Sequence, residues 1–213
     1  LGEIIYIPKG ALQSEKYDKL TSGFADTEAT SSISSGSKQY LSYVPCLFLP
    51  YTNGSSKLLM YFHGNAEDIG LSYEMLDHLR SSLKINVLAV EYPGYGIYTD
   101  PRGCSSEKIT EDALYVFEYV MKETGLKEKD ICVFGRSMGT GPATFIAANY
   151  NPGALILMSP YTSIRNVVQA KVGFLSRLVA DRFNNLEQMP NVICPTFIVH
   201  GQKDTLIPYE HAQ

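Results

Sequence analysis

The stretch that decides the fold is Ile131-Cys-Val-Phe-Gly-Arg-Ser-Met-Gly-Thr-Gly141. It opens with four apolar residues that are typical of a buried strand, and a helix rich in small residues is predicted from Pro142 to Tyr150. Between the two lies a GxSxG pattern with Ser137 at its centre. A serine on such a strand-to-helix turn has its hydroxyl held outward, so Ser137 is the predicted nucleophile.

Short runs of β-branched and aromatic residues recur on both sides of this turn. Apolar residues at helical spacing separate several of them, from Leu71 to Leu83 and from Ala113 to Met121. From the third run onward the strands are predicted to be buried on both faces, which is typical of a parallel sheet covered by helices. The sequence thus predicts an α/β fold with a mostly parallel central sheet. The predicted strands are Gly2–Ile7, Leu41–Leu49, Leu58–Phe62, Asn86–Glu91, Ile131–Phe134, Ala154–Met158 and Thr196–His200.

A single domain is predicted over residues 1–213, because this length and a 45% share of hydrophobic residues suit one continuous core. Residues 25–38 are rich in Ser and Thr and poor in apolar side chains, so a flexible loop is expected there. Residues 162–190 have apolar residues at helical spacing, interrupted at Gly173, which predicts a small helical lid segment.

Composition excludes several classes of protein. The formal charge of −4 comes from scattered residues without a basic run, which argues against a nucleic-acid partner. The four cysteines form no CxxC pair and indicate buried free thiols in a reducing compartment, hence a cytoplasmic protein. No run approaches the roughly 20 apolar residues of a membrane span. Because the first residue is Leu1, the natural N-terminus is expected upstream, and peripheral membrane attachment through such a segment stays an alternative.

A second motif follows the predicted strand Leu58–Phe62, which ends in His63-Gly64 and turns toward the next helix. In hydrolases with a GxSxG turn, this position supplies one backbone N–H to the oxyanion hole, and the residue after the nucleophile supplies the other. Asn65 and Met138 are therefore the predicted oxyanion donors.

The ionisable residues around that turn are given structural roles. His63 precedes Ser137, whereas the order expected in this fold is Ser, acid, His, so His63 is predicted to shape the loop by hydrogen bonding. Glu67 and Asp68 are predicted to be acids at the start of the following helix, where the helix dipole favours them.

A third motif follows the last predicted strand, which ends at His200 and is followed four residues later by Asp204. A carboxylate at the C-terminal edge of the sheet, after the nucleophile in the chain, is where the acid of a catalytic triad belongs. The preceding strand is followed by Ser159-Pro-Tyr-Thr-Ser163, which contains no acid. Asp204 is thus the predicted acid, and His200 is predicted to be structural.

The base is expected about 20 to 30 residues after the acid, beyond a helix and a further strand. Only nine residues follow Asp204. His211 lies in the opening of the expected helix and is interpreted as a chance surface histidine. We therefore expect the catalytic histidine and a last strand beyond Gln213, so that the domain is C-terminally incomplete.

Five segments together resemble the alpha/beta-hydrolase superfamily, and within it the Bem46-type group that includes alpha/beta-hydrolase-domain protein 17. They are GRSMGTGPA at 135–143, YFHGNAEDIG at 61–70, EYPGYG at 91–96, SPYTS at 159–163 and HGQKDTLIP at 200–208. The resemblance implies strand order 1-2-4-3-5-6-7-8, with the roles given above for Ser137, Asp204, Asn65 and Met138. Some members of the group remove fatty acyl groups from protein cysteines, which makes an acylated protein one of the substrates that the resemblance allows.

These features predict a serine hydrolase that cleaves a carboxylic ester or thioester through an acyl-enzyme on Ser137, without a metal or organic cofactor. Tyr95, Ile97, Tyr161, Phe174 and Leu175 are apolar neighbours that would suit an acyl chain, although plain core or lid packing is the alternative for each. Two alternatives stay open: an amidase or peptidase on the same triad, and a catalytically silent binding protein. The Gly-rich run does not predict a nucleotide site, because it lacks Gly-Lys-Ser/Thr and GxGxxG.

Overall fold

A computed structural model describes residues 2–10, 12–22, 24, 43–100, 103–167 and 183–213. The predicted loop at 25–38 lies outside these residues, as does most of the predicted lid segment, since residues 168–182 are not described. Seven strands form one sheet, and their bounds lie close to the predicted ones. They are β1 Glu3–Pro8, β2 Tyr43–Leu49, β3 Leu58–Phe62, β4 Asn86–Val90, β5 Ile131–Arg136, β6 Ala154–Met158 and β7 Thr196–Val199.

The strand order is β1-β2-β4-β3-β5-β6-β7, as predicted for these seven strands. The first two strands are antiparallel to their neighbours, and β3 to β7 run parallel to one another. In a sheet of this kind the C-terminal ends of the parallel strands meet at one edge, where ligands bind. The predicted site residues all follow such strand ends.

Five described helices accompany the sheet: α1 Glu15–Thr21, α2 Tyr73–Leu83, α3 Ser106–Thr124, α4 Thr140–Asn149 and α5 Asn185–Gln188. The longest, α3, begins where the Ser105 side chain accepts from the Lys108 N–H, and it ends at Gly125 in the left-handed conformation. Apolar residues on its buried side repeat at helical spacing, which is why the sequence predicted this helix.

The core has two layers, one on each face of the sheet. Alternate residues of β3 divide between them, because successive side chains of a strand point to opposite faces. Met60 packs with residues of α3 and α4, while Tyr61 packs with Leu76 of α2. The prediction of helices on both faces of the sheet is therefore confirmed.

Strand β7 differs from the prediction that it is buried on both faces. All four of its residues are exposed, including Phe197 at 63% and Ile198 at 41%. Within the described residues β7 pairs only with β6, so it is an edge strand. An apolar run indicates a strand, but its sequence alone does not show which faces are covered.

The cysteines also differ in part from the expectation of buried thiols. None of the four forms a disulfide within the described residues. Cys46 and Cys194 are buried, Cys132 is half-buried, and Cys104 is exposed in the segment before α3. Only the cysteines within strands or beside them are thus covered by the core.

The GxSxG turn packs directly against the end of β3. A Cβ added to Gly139 would overlap the backbone of Phe62 and His63. We expect Gly139→Ala to lower the free energy of unfolding by about 1–3 kcal/mol, because backbone cannot move aside as a flexible side chain can. Urea unfolding measures this change.

Gly201→Ala is the matched control, since an added Cβ there meets no atom within 4 Å. Its effect is expected to stay within about 0.5 kcal/mol. Equal effects at the two positions would contradict the close packing of the turn on β3.

Candidate active site

Ser137 stands on a sharp turn between β5 and α4. Its φ of +50° lies in the left-handed region, which non-glycine residues rarely adopt. The turn continues as a short 3₁₀ segment, Ser137–Gly139, that leads directly into α4. The Thr140 hydroxyl donates a 2.7 Å hydrogen bond to the Ser137 carbonyl oxygen. The half-buried serine is thus presented at the edge of the sheet on a fixed backbone.

A buried network of hydrogen bonds stabilises the backbone of this turn. The Asn185 side-chain amide donates to Thr140 Oγ1 at 3.0 Å and to the Tyr161 carbonyl at 2.9 Å. The Tyr161 hydroxyl in turn donates to the Met138 carbonyl at 3.1 Å. Tyr161 is only 2% exposed, and burial raises the pKa of its phenol, so it stays a neutral donor.

This network corrects one prediction and adds one residue. Tyr161, predicted to suit an acyl chain, is held by its hydroxyl beneath the turn. Asn185, 4% exposed, was not singled out, because its partners lie 24 and 45 positions away in the sequence. Of the other predicted acyl neighbours, Phe174 and Leu175 lie outside the described residues, and Ile97 is 51% exposed.

The predicted oxyanion loop lies against the serine turn. A Cβ placed on Gly64 would be 3.5 Å from Ser137 Cβ, so the two backbones are close neighbours. Asn65 follows Gly64 and is exposed, while Met138 is half-buried. Within the described residues neither the Asn65 nor the Met138 N–H has a hydrogen-bond acceptor, so both can donate to a ligand.

Glu67 contacts both the predicted oxyanion loop and the serine turn. Its Oε1 accepts from the Gly64 N–H at 2.6 Å, and its Oε2 pairs with Arg136 Nη1 at 2.7 Å. The prediction that Glu67 is a helix-start acid is wrong, because α2 begins only at Tyr73. Arg136, a charged residue inside the GxSxG pattern, indicated that an acidic partner lies near the turn. Nothing in the sequence identified that partner as Glu67.

Tyr95 bridges the two predicted oxyanion residues from the loop after β4. Its hydroxyl donates to Asn65 Oδ1 at 2.6 Å, and its oxygen lies 4.0 Å from Met138 Sδ. Burial, with smaller contributions from Cys104 and Glu91, raises the pKa of this phenol, so it remains a donor at neutral pH. Tyr95 therefore fixes the Asn65 side chain relative to the serine turn.

Asp204 follows β7 in a tight turn. Its Oδ1 accepts from the backbone N–H groups of Leu206 at 2.8 Å and Ile207 at 2.9 Å. These hydrogen bonds, together with the nearby His200, hold the pKa of Asp204 below its ordinary value. Asp204 is thus an oriented carboxylate that stays ionised at neutral pH.

Sheet register places Ser137 and Asp204 at the same edge. Arg136, Met158 and Val199 are the last paired residues of β5, β6 and β7. Since adjacent strands lie about 4.8 Å apart, the ends of β5 and β7 are separated by roughly 10 Å, with β6 between them. Ser159, the first residue after β6, lies at the same edge and has a φ of +48°.

Two of the remaining histidines hold local structure. The His200 Nε2 donates to the Ile207 carbonyl at 2.8 Å, which supports its predicted structural role. The His211 Nδ1 accepts from Thr162 Oγ1 at 2.9 Å and from the Thr162 N–H at 3.3 Å. Burial lowers the pKa of His211, and its half-buried ring is not the surface side chain that was predicted.

Neither a metal cluster nor a spanning helix is found in the described part of the chain. Among those residues no group of three His, Cys, Asp or Glu side chains could hold a metal ion. None of the helices described there is long and apolar enough to cross a membrane.

Comparison with known proteins assigns the family. Residues 57–187 match the alpha/beta hydrolase fold family. The chain belongs to the alpha/beta hydrolase family. Within this family it is similar to alpha/beta hydrolase domain-containing protein aho-3 of Caenorhabditis elegans, at 34% identity over 79% of this chain and 49% of the relative. It is also similar to human alpha/beta hydrolase domain-containing protein 17B, at 30% identity over 79% of this chain and 57% of that protein.

A further relative in this hydrolase family is lysophosphatidylserine lipase ABHD12 of Danio rerio, at 31% identity over 73% of this chain and 45% of the relative. The chain therefore spans about half the length of the curated relatives it matches. Among solved structures, the Pyrococcus furiosus esterase Pf2001 superposes with a TM-score of 0.62 at 22% identity, over 80% of this chain and 70% of that one. At this identity the likeness shows the fold alone.

Proposed function

We propose that this alpha/beta hydrolase is a serine hydrolase that cleaves a carboxylic ester or thioester through an acyl-enzyme on Ser137. The observation that carries the proposal is the serine turn: Ser137 has a φ of +50° between β5 and α4, next to two N–H groups that can bind an oxyanion. The carboxylate of Asp204 lies at the same edge of the sheet. A nucleophile, oxyanion donors and an orienting acid are the parts that acyl transfer needs.

The proposed reaction has two halves. Ser137 Oγ attacks the carbonyl carbon, and its proton passes to the histidine base that a serine triad requires. The carbonyl oxygen becomes an anion bonded to the N–H groups of Asn65 and Met138, and the leaving oxygen or sulfur departs with the proton. Water then attacks the acyl-serine, and the acid leaves as Ser137 regains its proton. Asp204 orients and stabilises the histidine in both halves.

The substrate class is proposed from chemistry and similarity together. A serine with an oxyanion hole acts on acyl carbonyl groups. One relative is named a lysophosphatidylserine lipase, and lysophosphatidylserine contains an acyl ester. This similarity favours an ester over an amide as the substrate. We therefore propose an acylated small molecule or acylated protein as substrate.

Matched substrates test this proposal. The complete protein is given an oxygen ester, a thioester and an anilide that carry the same acyl chain, and kcat/KM is measured for each. The proposal expects hydrolysis of the ester or thioester at least about 100-fold faster than hydrolysis of the anilide. A preference for the anilide would instead support an amidase, and a folded protein that cleaves none of the three would support a binding protein.

Tyr95→Phe tests the contact that holds Asn65. The variant keeps the ring but loses the hydroxyl that donates to Asn65 Oδ1. We expect kcat for the best ester to fall roughly three- to tenfold, because one hydrogen bond that positions an oxyanion donor is lost. Steady-state kinetics measures the effect. Tyr119→Phe, on the outer part of α3, is the matched control, and equal rates for the two variants would contradict a role for Tyr95.

A further inference from the structure

His63 and Glu91 form a fully buried pair directly behind the oxyanion loop. Both side chains have 0% exposure, and His63 Nε2 lies 2.8 Å from Glu91 Oε1. On the other side of the ring, His63 Nδ1 lies 2.8 Å from the carbonyl oxygen of Gly64. The catalytic steps proposed above do not use this pair.

The hydrogen bonds determine where the protons are. A carbonyl oxygen can only accept, so His63 Nδ1 carries a proton. Glu91 also accepts from backbone, at Oε1 from the Tyr92 N–H and at Oε2 from the Ile69 N–H. Two backbone N–H donors on these oxygens suit a carboxylate, and a carboxylate facing His63 Nε2 calls for a second proton on the ring. The contacts of both residues therefore fit a doubly protonated imidazole.

The surroundings favour a cation at this position. The Tyr92 ring lies beside the imidazole at a tilt of 31°, with centroids 4.0 Å apart, and the Tyr95 ring lies at 5.5 Å. Aromatic faces attract cations. Burial raises the pKa of both phenols, so neither competes with Glu91 as an anion. Of the other nearby acids, Glu67 is paired with Arg136, and Asp68 accepts from the Leu71 N–H at 2.8 Å.

The carbonyl of Gly64 and the N–H of Asn65 belong to the same peptide unit. A charged donor on the carbonyl oxygen both fixes this unit and polarises it, which makes its N–H a stronger donor. We propose that His63, held as an imidazolium by Glu91, positions and polarises the Gly64–Asn65 peptide so that the Asn65 N–H binds the oxyanion more tightly. His63 is a positioning residue in this account, and its role in catalysis rests on the proposed function.

Glu91→Gln separates charge from position. In this variant a neutral His63 keeps its Nδ1 proton on the Gly64 carbonyl, while Nε2 accepts from the new amide. The polarising charge is lost together with the acceptor of the Tyr92 N–H, so the unfolding temperature is measured alongside to show that the loop keeps its fold. We expect kcat to fall about tenfold with KM unchanged, and the rate of fluorophosphonate labelling to fall in parallel. His63→Gln also removes the hydrogen bond from Nδ1 to the Gly64 carbonyl. We expect this variant to lower kcat about 100-fold relative to the wild type.

The protonation state is measured independently of activity. Nitrogen-15 NMR of histidine-labelled protein reports whether each ring nitrogen of His63 carries a proton, with His63→Gln used to assign the signal. We expect both nitrogens to carry a proton at neutral pH. His78→Gln on α2 is the control for kinetics.

Each result bears on a separate claim. A His63 nitrogen without a proton at neutral pH overturns the imidazolium, whatever the activity. Two protonated nitrogens with full kcat in Glu91→Gln overturn the polarising role and leave the ion pair. Two protonated nitrogens in a wild-type protein without hydrolase activity leave the ion pair standing, but they remove the proposed function and the polarising role that rests on it.

Discussion

Ser137→Ala is expected to lower the rate of ester hydrolysis by about 10⁵-fold or more, to a level set by binding and the oxyanion hole alone. In the proposed mechanism the serine oxygen forms the acyl intermediate, and no other described hydroxyl lies on a strand-to-helix turn between the oxyanion loop and α4. Steady-state kinetics on an activated ester measures the loss, and stopped-flow kinetics tests whether the burst of acyl-enzyme disappears.

Ser82→Ala on α2 is the matched control, since this exposed serine lies on a helix away from the site. Both variants should unfold at the wild-type temperature. A folded Ser137→Ala variant that retains more than about a hundredth of the wild-type rate would show that Ser137 is not the nucleophile.

Asp204→Asn is expected to lower kcat by about 10⁴-fold, the loss known when the acid of a serine triad is neutralised. The asparagine oxygen can still accept from Leu206 and Ile207, so the turn should keep its shape while the charge is removed. The pH–rate profile provides a readout that a structural role would not move. Without the carboxylate, the imidazolium is less stable, so the acid limb should shift to lower pH.

The direction of the pKa shift of Asp204 shows which group causes the acid limb of the pH–rate profile. The pKa of Asp204 is depressed in the folded protein, so its contribution to stability is present above the ordinary value near 3.9 and is lost as the pH falls through the folded value. An acid limb at higher pH in the wild type therefore belongs to the base. Asp77→Asn on α2 is the control, and a loss of less than tenfold for Asp204→Asn would contradict the triad role.

Much of the fold could be predicted because its signals are local. The strands β3 and β6 have the predicted bounds, since each is a short apolar run with turn residues on both sides. The GxSxG turn could be placed because a strand precedes it and small residues follow. The exposure of β7 could not be predicted, because the burial of a strand depends on which elements lie next to it.

The connections within the site could not be predicted, since they join residues far apart in the sequence. Glu67 pairs with Arg136 across 69 positions, and Asn185 reaches Thr140 across 45. Each of these residues has an ordinary surface or helix role in its own local sequence. Ser159 likewise comes to the same edge as Asp204 only when β6 and β7 lie side by side. The candidate nucleophile could thus be selected from its motif, whereas the contacts around it required the fold.

Intact-mass analysis after treatment with a fluorophosphonate probe tests the central claim most directly. The complete protein, its Ser137→Ala variant and its Ser82→Ala control are each incubated with the probe while folded. A serine hydrolase built on Ser137 predicts the mass of one probe group on the wild type and the control, and none on Ser137→Ala. Equal labelling of Ser137→Ala, or a folded wild type that takes up no probe, would contradict it.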